Sequence, residues 1–99
     1  MTWKEAFVKI NARAKVVLGI YGGDWLLGAM ITTSRAIKLL ESGDIPHVVN
    51  NLRMEFGDTM PSFGTYDGDE VDFADDLESS TDPSKFSQMW CELVEDQVP

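Results

Sequence analysis

Apolar residues recur near the start of the chain as Trp3, Phe7, Ile10, Ala14 and Val17, in alternating steps of four and three. That spacing predicts one face of an amphipathic helix. Thr2 and Glu5 stand in front of it at capping-box separation, Lys4, Lys9, Arg13 and Lys15 fall among its polar positions, and Gly19 or the Gly22-Gly23 pair offers a stop. A second helix is predicted from Trp25 to about Glu41, with Asp24 as its cap and Gly43 beyond its end. Its apolar set is Leu26, Leu27, Met30, Ile31, Ile37 and Leu40, which marks it as the most deeply buried element, and Gly28 and Ala29 would admit a close neighbour. A competing arrangement makes residues 15 to 21 and 25 to 33 two strands turning at Gly22-Gly23, because Val, Ile, Tyr and Thr favour strands. Period-two alternation is poor in both segments, so the helical reading is preferred.

A third, short helix is expected from Asp44, with Pro46 in its first turn, the repeat Ile45, Val49, Leu52, Phe56, and Gly57 as terminator. Residues 57 to 81 then change character, with Gly57, Gly64, Gly68 and Pro61 among many acids, and read as a long irregular segment. The last pattern is the cleanest: Asp82 as cap, Pro83 at the first position, and the stripe Phe86, Met89, Trp90, Leu93, Val94. The expected architecture is therefore mainly α. It is one domain over residues 1–99, with a helical body at 1–56, an acidic irregular segment at 57–81 and a C-terminal amphipathic helix at 82–96.

Composition narrows the classes of function. The chain of 99 residues is 43% hydrophobic, a globular value, and its net charge of −9 argues against direct binding to nucleic acid or an anionic membrane. The stretch from Val16 to Ser34 is weakly charged but broken by Asp24 and Gly22-Gly23, which argues against a membrane span. A lone cysteine, Cys91, and an opening without the layout of a secretory signal point to a cytoplasmic setting.

The charge is unevenly placed. Residues 1 to 56 carry a net +2, whereas residues 57 to 99 carry −11 and Lys85 as their single cation. Seven acids crowd into residues 67 to 78: Asp67, Asp69, Glu70, Asp72, Asp75, Asp76 and Glu78. A solvated face that maintains solubility accounts for such a run. An electrostatic contact surface also accounts for it, with the interspersed Val71, Phe73 and Leu77 anchoring the segment on a basic partner. Mutual repulsion predicts that the free segment is extended or mobile and gains order when a partner neutralises it.

Other chemistry finds little support in the residues. Asp67 to Glu78 overlays partly on a calcium loop, but its fifth position is Val71 and its sixth, where a glycine is needed, is Asp72. His47 is the one usual base and reads as a helix-turn histidine, so no nucleophile and base pair is evident. Cys91 reads as a small, partly buried residue whose neighbouring acids disfavour the thiolate. One Cys and one His cannot make a structural zinc set, and the Gly19 to Gly23 segment lacks the Gly-Lys-Ser/Thr of a phosphate loop. No cofactor is implied.

In size, single-domain layout and acidic cluster the chain resembles the small acidic proteins that bacteriophages make to disable host nucleases, CRISPR complexes and related defence machinery. The likeness rests on those traits and on no motif, so no residue role is carried over. It implies a non-catalytic inhibitor or modulator of a host nucleic-acid-processing enzyme, such as a recombination nuclease, acting in the host cytoplasm. The partner would be a larger protein with a basic groove, which the chain enters by mimicking or displacing DNA or holds through a regulatory contact. A structural subunit or adaptor, using the apolar faces of the second and the C-terminal helices, is the competing expectation. Met60-Pro61 is expected in an exposed loop, where a host prolyl isomerase would find an accessible bond.

Overall fold

The computed structural model describes residues 1–56, 62–66 and 69–98, with backbone only between residues 62 and 71. The chain is mainly α. Its elements are α1 (Trp3–Tyr21), α2 (Asp24–Leu40), α3 (Ile45–Phe56), β1 (Ser62–Tyr66), β2 (Asp69–Asp72), α4 (Phe73–Ser79) and α5 (Pro83–Glu95).

Helix α1 opens on the predicted capping box: the Glu5 amide donates to Thr2 Oγ1 at 3.1 Å and the Thr2 amide to Glu5 Oε1 at 2.9 Å. It ends where Gly22 and Gly23 take φ of 71° and 109°. These are left-handed values that side chains resist, and the Gly22 amide closes the last turn on the Leu18 carbonyl at 2.8 Å. The pair thus breaks one helix from the next, and residues 15–33 are helical on both sides of it rather than a strand hairpin. Asp24 is the first residue of α2 and not its cap; Gly23 holds that position, with no side-chain hydrogen bond. Asp44 Oδ1 accepts from the His47 amide at the start of α3, and Asp82 Oδ1 from the Ser84 and Lys85 amides at the start of α5.

Helix α2 turns inward only part of the set its large side chains suggested. Leu26, Ala29, Thr32, Thr33, Ala36 and Leu39 are buried, Met30, Ile37 and Leu40 pack partly buried against the core, and Leu27 and Ile31 are exposed. The cause lies on α1, where Asn11 is buried in line with the apolar face. Its amide Nδ2 reaches the Met30 carbonyl at 3.0 Å, Thr33 Oγ1 at 2.9 Å and Ser34 Oγ at 2.8 Å, and Thr33 Oγ1 in turn donates to the Ala29 carbonyl at 2.8 Å. Burying that amide is tolerable only with its hydrogens satisfied, so the polar ladder sets the rotation of α2 and small residues line the contact.

Helix α1 packs on α2 and α5, α3 on α2 and α4, and β1 lies against α2 and α4 and pairs with β2. The strands are antiparallel, with Thr65 opposite Glu70 and Tyr66 opposite Asp69, and the register shifts between Ser62 and Thr65. The centre of the core is aromatic: Trp3, Phe7, Phe73, Phe86 and Trp90 meet at ring-centroid distances of 5.2 to 6.2 Å. The C-terminal stripe is only partly internal. Phe86, Trp90 and Val94 are buried, Leu93 is half-buried, and Met89 is exposed.

Part of the segment expected to be irregular is therefore regular, since residues 62–66 and 69–72 pair as strands and residues 73–79 form α4. Repulsion between acids does not keep residues 72–79 extended. Phe73, Ala74 and Leu77 are fully buried, and burial of a large apolar side chain contributes about 1.5–3 kcal/mol against a few tenths for each exposed like-charge pair. Gly57 and Met60-Pro61, where a helix stop and an accessible prolyl bond were expected, lie outside the described residues.

Candidate acidic contact face

Helix α4 sorts its residues by face. Phe73, Ala74 and Leu77, spaced as the inner stripe of one turn and a half, fill the core, which leaves Asp75 and Glu78 on the outside and Asp76 at the boundary. Asp72 caps the helix, its Oδ1 accepting from the Asp75 amide at 3.1 Å, and Asp75 and Asp76 occupy the first turn, where the helix dipole favours negative charge. The acids are thus fixed outward because the apolar residues between them are fixed inward.

One cation answers them. Arg53, in the last turn of α3, forks between α4's outer carboxylates, Nη1 to Glu78 Oε2 and Nη2 to Asp75 Oδ1. Among the described residues no cation offsets Asp76: burial, and then the charges of Asp72 and Asp75, push its carboxyl above the usual range. The Asp72 carboxyl is also raised, chiefly by burial and less by Asp75, although the Asp75 amide and Arg53 pull it down.

The sequence-predicted contact residues accordingly divide. Asp72, Asp75, Asp76 and Glu78 are brought together on one face. Phe73 and Leu77, expected to anchor a partner, are spent inside the core with no exposed area. Asp69, Glu70 and Val71 lie on β2, their side chains outside the described residues, as is the whole of Asp67. Arg53 was missed. It lies 22 and 25 residues from the acids it binds, and no local pattern announces a contact of that range.

Two other constellations carry chemistry of a different kind. Asn51 Nδ2 donates to the His47 carbonyl at 2.8 Å and lies 3.1 Å from His47 Nδ1, while His47 Nε2 lies 3.0 Å from Ser42 Oγ. Ser42 Oγ also donates to the Leu39 carbonyl at 3.1 Å. Ser42, His47 and Asn51 thus link the corner between α2 and α3, where the imidazole fills the space a Cβ on Gly43 would need. Cys91 is half-buried beside a groove of about 410 Å³ lined by Lys9, Ala12, Arg13 and Val16. Its thiol is pushed up by burial above all and least by Glu95, while Ser87, Lys9 and Arg13 oppose the shift.

Among the described residues no three His, Cys, Asp or Glu side chains gather as a metal site, and no helix is long and apolar enough to cross a membrane. Comparison with family models, with characterised proteins and with solved structures finds no match to this chain.

Proposed function

We propose that this chain is a non-catalytic binding protein that presents the acidic face of α4 to a basic groove on a larger host nucleic-acid-processing enzyme, a recombination nuclease or a CRISPR complex being the class in view. The observation that carries the reading is the construction of α4. Asp75 and Glu78 stand on a helix whose opposite side is bolted into the aromatic core, so the charges are held in place before any partner arrives. Fixed charge of this kind raises the rate of encounter with a basic surface and loses little ordering entropy on docking. Carboxylates so displayed compete with phosphates for the same cations, which makes displacement of DNA or RNA the mode of inhibition. The anchoring role first assigned to Phe73 and Leu77 has no part in this, because both are internal.

The test is inhibition of nucleic-acid binding by such an enzyme, measured with labelled DNA and rising concentrations of the chain. Asp75→Asn, Asp76→Asn and Glu78→Gln together should slow association more than they speed release, with a weaker dependence on salt. An unchanged association rate and salt slope in that variant would leave the acidic face as a solubilising surface.

A second reading has its own observation. Leu27 and Ile31 on α2 and Met89 on α5 are exposed, which suits a subunit or adaptor that covers them in a larger assembly. Sedimentation of the isolated chain separates the two readings, since a subunit deprived of its assembly self-associates and a deployed inhibitor stays a defined monomer or small oligomer.

A further inference from the structure

Arg53 is the part of the acidic face that the reading above does not use. Its two terminal nitrogens go to two different residues, Asp75 and Glu78, three apart on the outer side of α4. Both carboxylate side chains remain mostly exposed, at 65% and 60%, while the Arg53 side chain is 30% exposed. Arg53 is thus the more covered partner of the two pairs, and both carboxylates stand toward solvent. This cation comes from the basic half of the chain and serves the acidic half, in which Lys85 is the only basic residue. A planar fork of donors across two carboxylates is the geometry with which an arginine of another protein would bind them.

We infer that Arg53 is a built-in competitor for the acidic face: in the free protein it occupies the pair of carboxylates that a partner's arginine takes, and docking exchanges one guanidinium for the other. This rests on the acidic-face reading and adds its regulation. Exposed ion pairs are individually weak, so the internal contact lowers the affinity for basic groups without blocking them. It also cancels charge locally, which restrains indiscriminate binding to cations and leaves selectivity to a partner that matches both carboxylates at once.

The experiment measures binding of a fluorescent hexa-arginine peptide by anisotropy at low and physiological salt, with Arg53→Gln, Arg53→Lys and, as a control of equal charge change, Arg13→Gln, which removes the Arg13–Glu95 pair between α1 and α5. Arg53→Gln should bind about threefold to tenfold tighter than the parent at low salt, the range set by two exposed ion pairs. Arg13→Gln should change affinity by less than about twofold, and Arg53→Lys, which keeps the charge but loses the fork, should fall between. Equal gains in Arg53→Gln and Arg13→Gln would reduce the effect to net charge and overturn the inference, as would weaker binding by Arg53→Gln. If Arg53→Gln fails to fold, as judged by circular dichroism, Arg53→Lys carries the same test, and parent-like affinity in it overturns the inference. Asp75→Asn with Glu78→Gln separates the two levels. If that pair loses peptide binding while Arg53→Gln gains none, only the competitor role falls; if it binds the peptide as the parent does, the acidic-face reading falls and takes this one with it.

Discussion

Truncating Phe73 to Ala is the sharpest test of the claim that the acidic helix is bolted to the core. Phe73 has no exposed area, and its ring lies 5.2 Å from Phe86, 5.3 Å from Trp90 and 5.9 Å from Phe7, centroid to centroid. Removing a buried phenyl ring costs about 3–5 kcal/mol in transfer free energy and residual cavity, and the lost edge-to-face contacts are already inside that range. A domain of this length has about 5–15 kcal/mol of stability in all, so the variant should retain a fold that is close to failing. At about 4–8 °C per kcal/mol, a loss of 3 kcal/mol lowers the melting temperature by about 12–24 °C. Urea titration followed by tryptophan fluorescence and by far-ultraviolet circular dichroism measures the change directly, and coincidence of the two probes licenses a two-state reading. The informative contrast is Asp75→Asn with Glu78→Gln on the same helix, which should cost no more than about 1 kcal/mol because the ion pairs it removes are exposed. A loss below about 1 kcal/mol for Phe73→Ala would refute the reasoning, returning α4 to the surface and Phe73 to the list of partner contacts.

Other expectations follow from the same geometry. Asn11→Ala should cost about 1–3 kcal/mol by equilibrium unfolding, since it removes the amide that joins Met30, Thr33 and Ser34 and leaves a gap between α1 and α2. Gly23→Ala should cost about 1–3 kcal/mol although nothing lies within 4 Å of the added methyl, because the whole effect comes from holding an L side chain at φ 109°. Asp76→Asn should stabilise the protein at neutral pH. With the folded carboxyl raised above its unfolded value, the penalty on the charged form is present above the folded value and vanishes below the ordinary Asp range near about 3.9. Melting temperatures of parent and variant should therefore converge as pH falls into that range, and a constant difference across it would sink the assignment.

What the chain's own pattern settled is local. Periodicity, caps and breakers placed α1, α3 and α5 nearly to the residue, because the Thr2–Glu5 box, Asp44 and Asp82 are read by amides two or three positions away. The mainly α class and the crowding of acids before the C-terminal helix were legible for the same reason. A local signal for the strand pair was present as well: Asp67-Gly68 stands between the segments that pair, and it is a strong hairpin dipeptide.

What the tertiary structure decided is which side of each element faces in and which distant residue meets which. Leu27 and Ile31 are as apolar as any residue of α2, yet they lie outside because one buried amide on α1 selects the rotation that satisfies it. Phe73 and Leu77 sit among acids in a stretch too short for periodicity to separate an anchor for a partner from an anchor for the core, and only the rings of Phe7, Phe86 and Trp90 around Phe73 make the choice. Arg53 meets Asp75 and Glu78 through the packing of α3 on α4. A sequence declares that a charge exists, but Coulomb energy depends on separation in space, and separation in space is set by the fold.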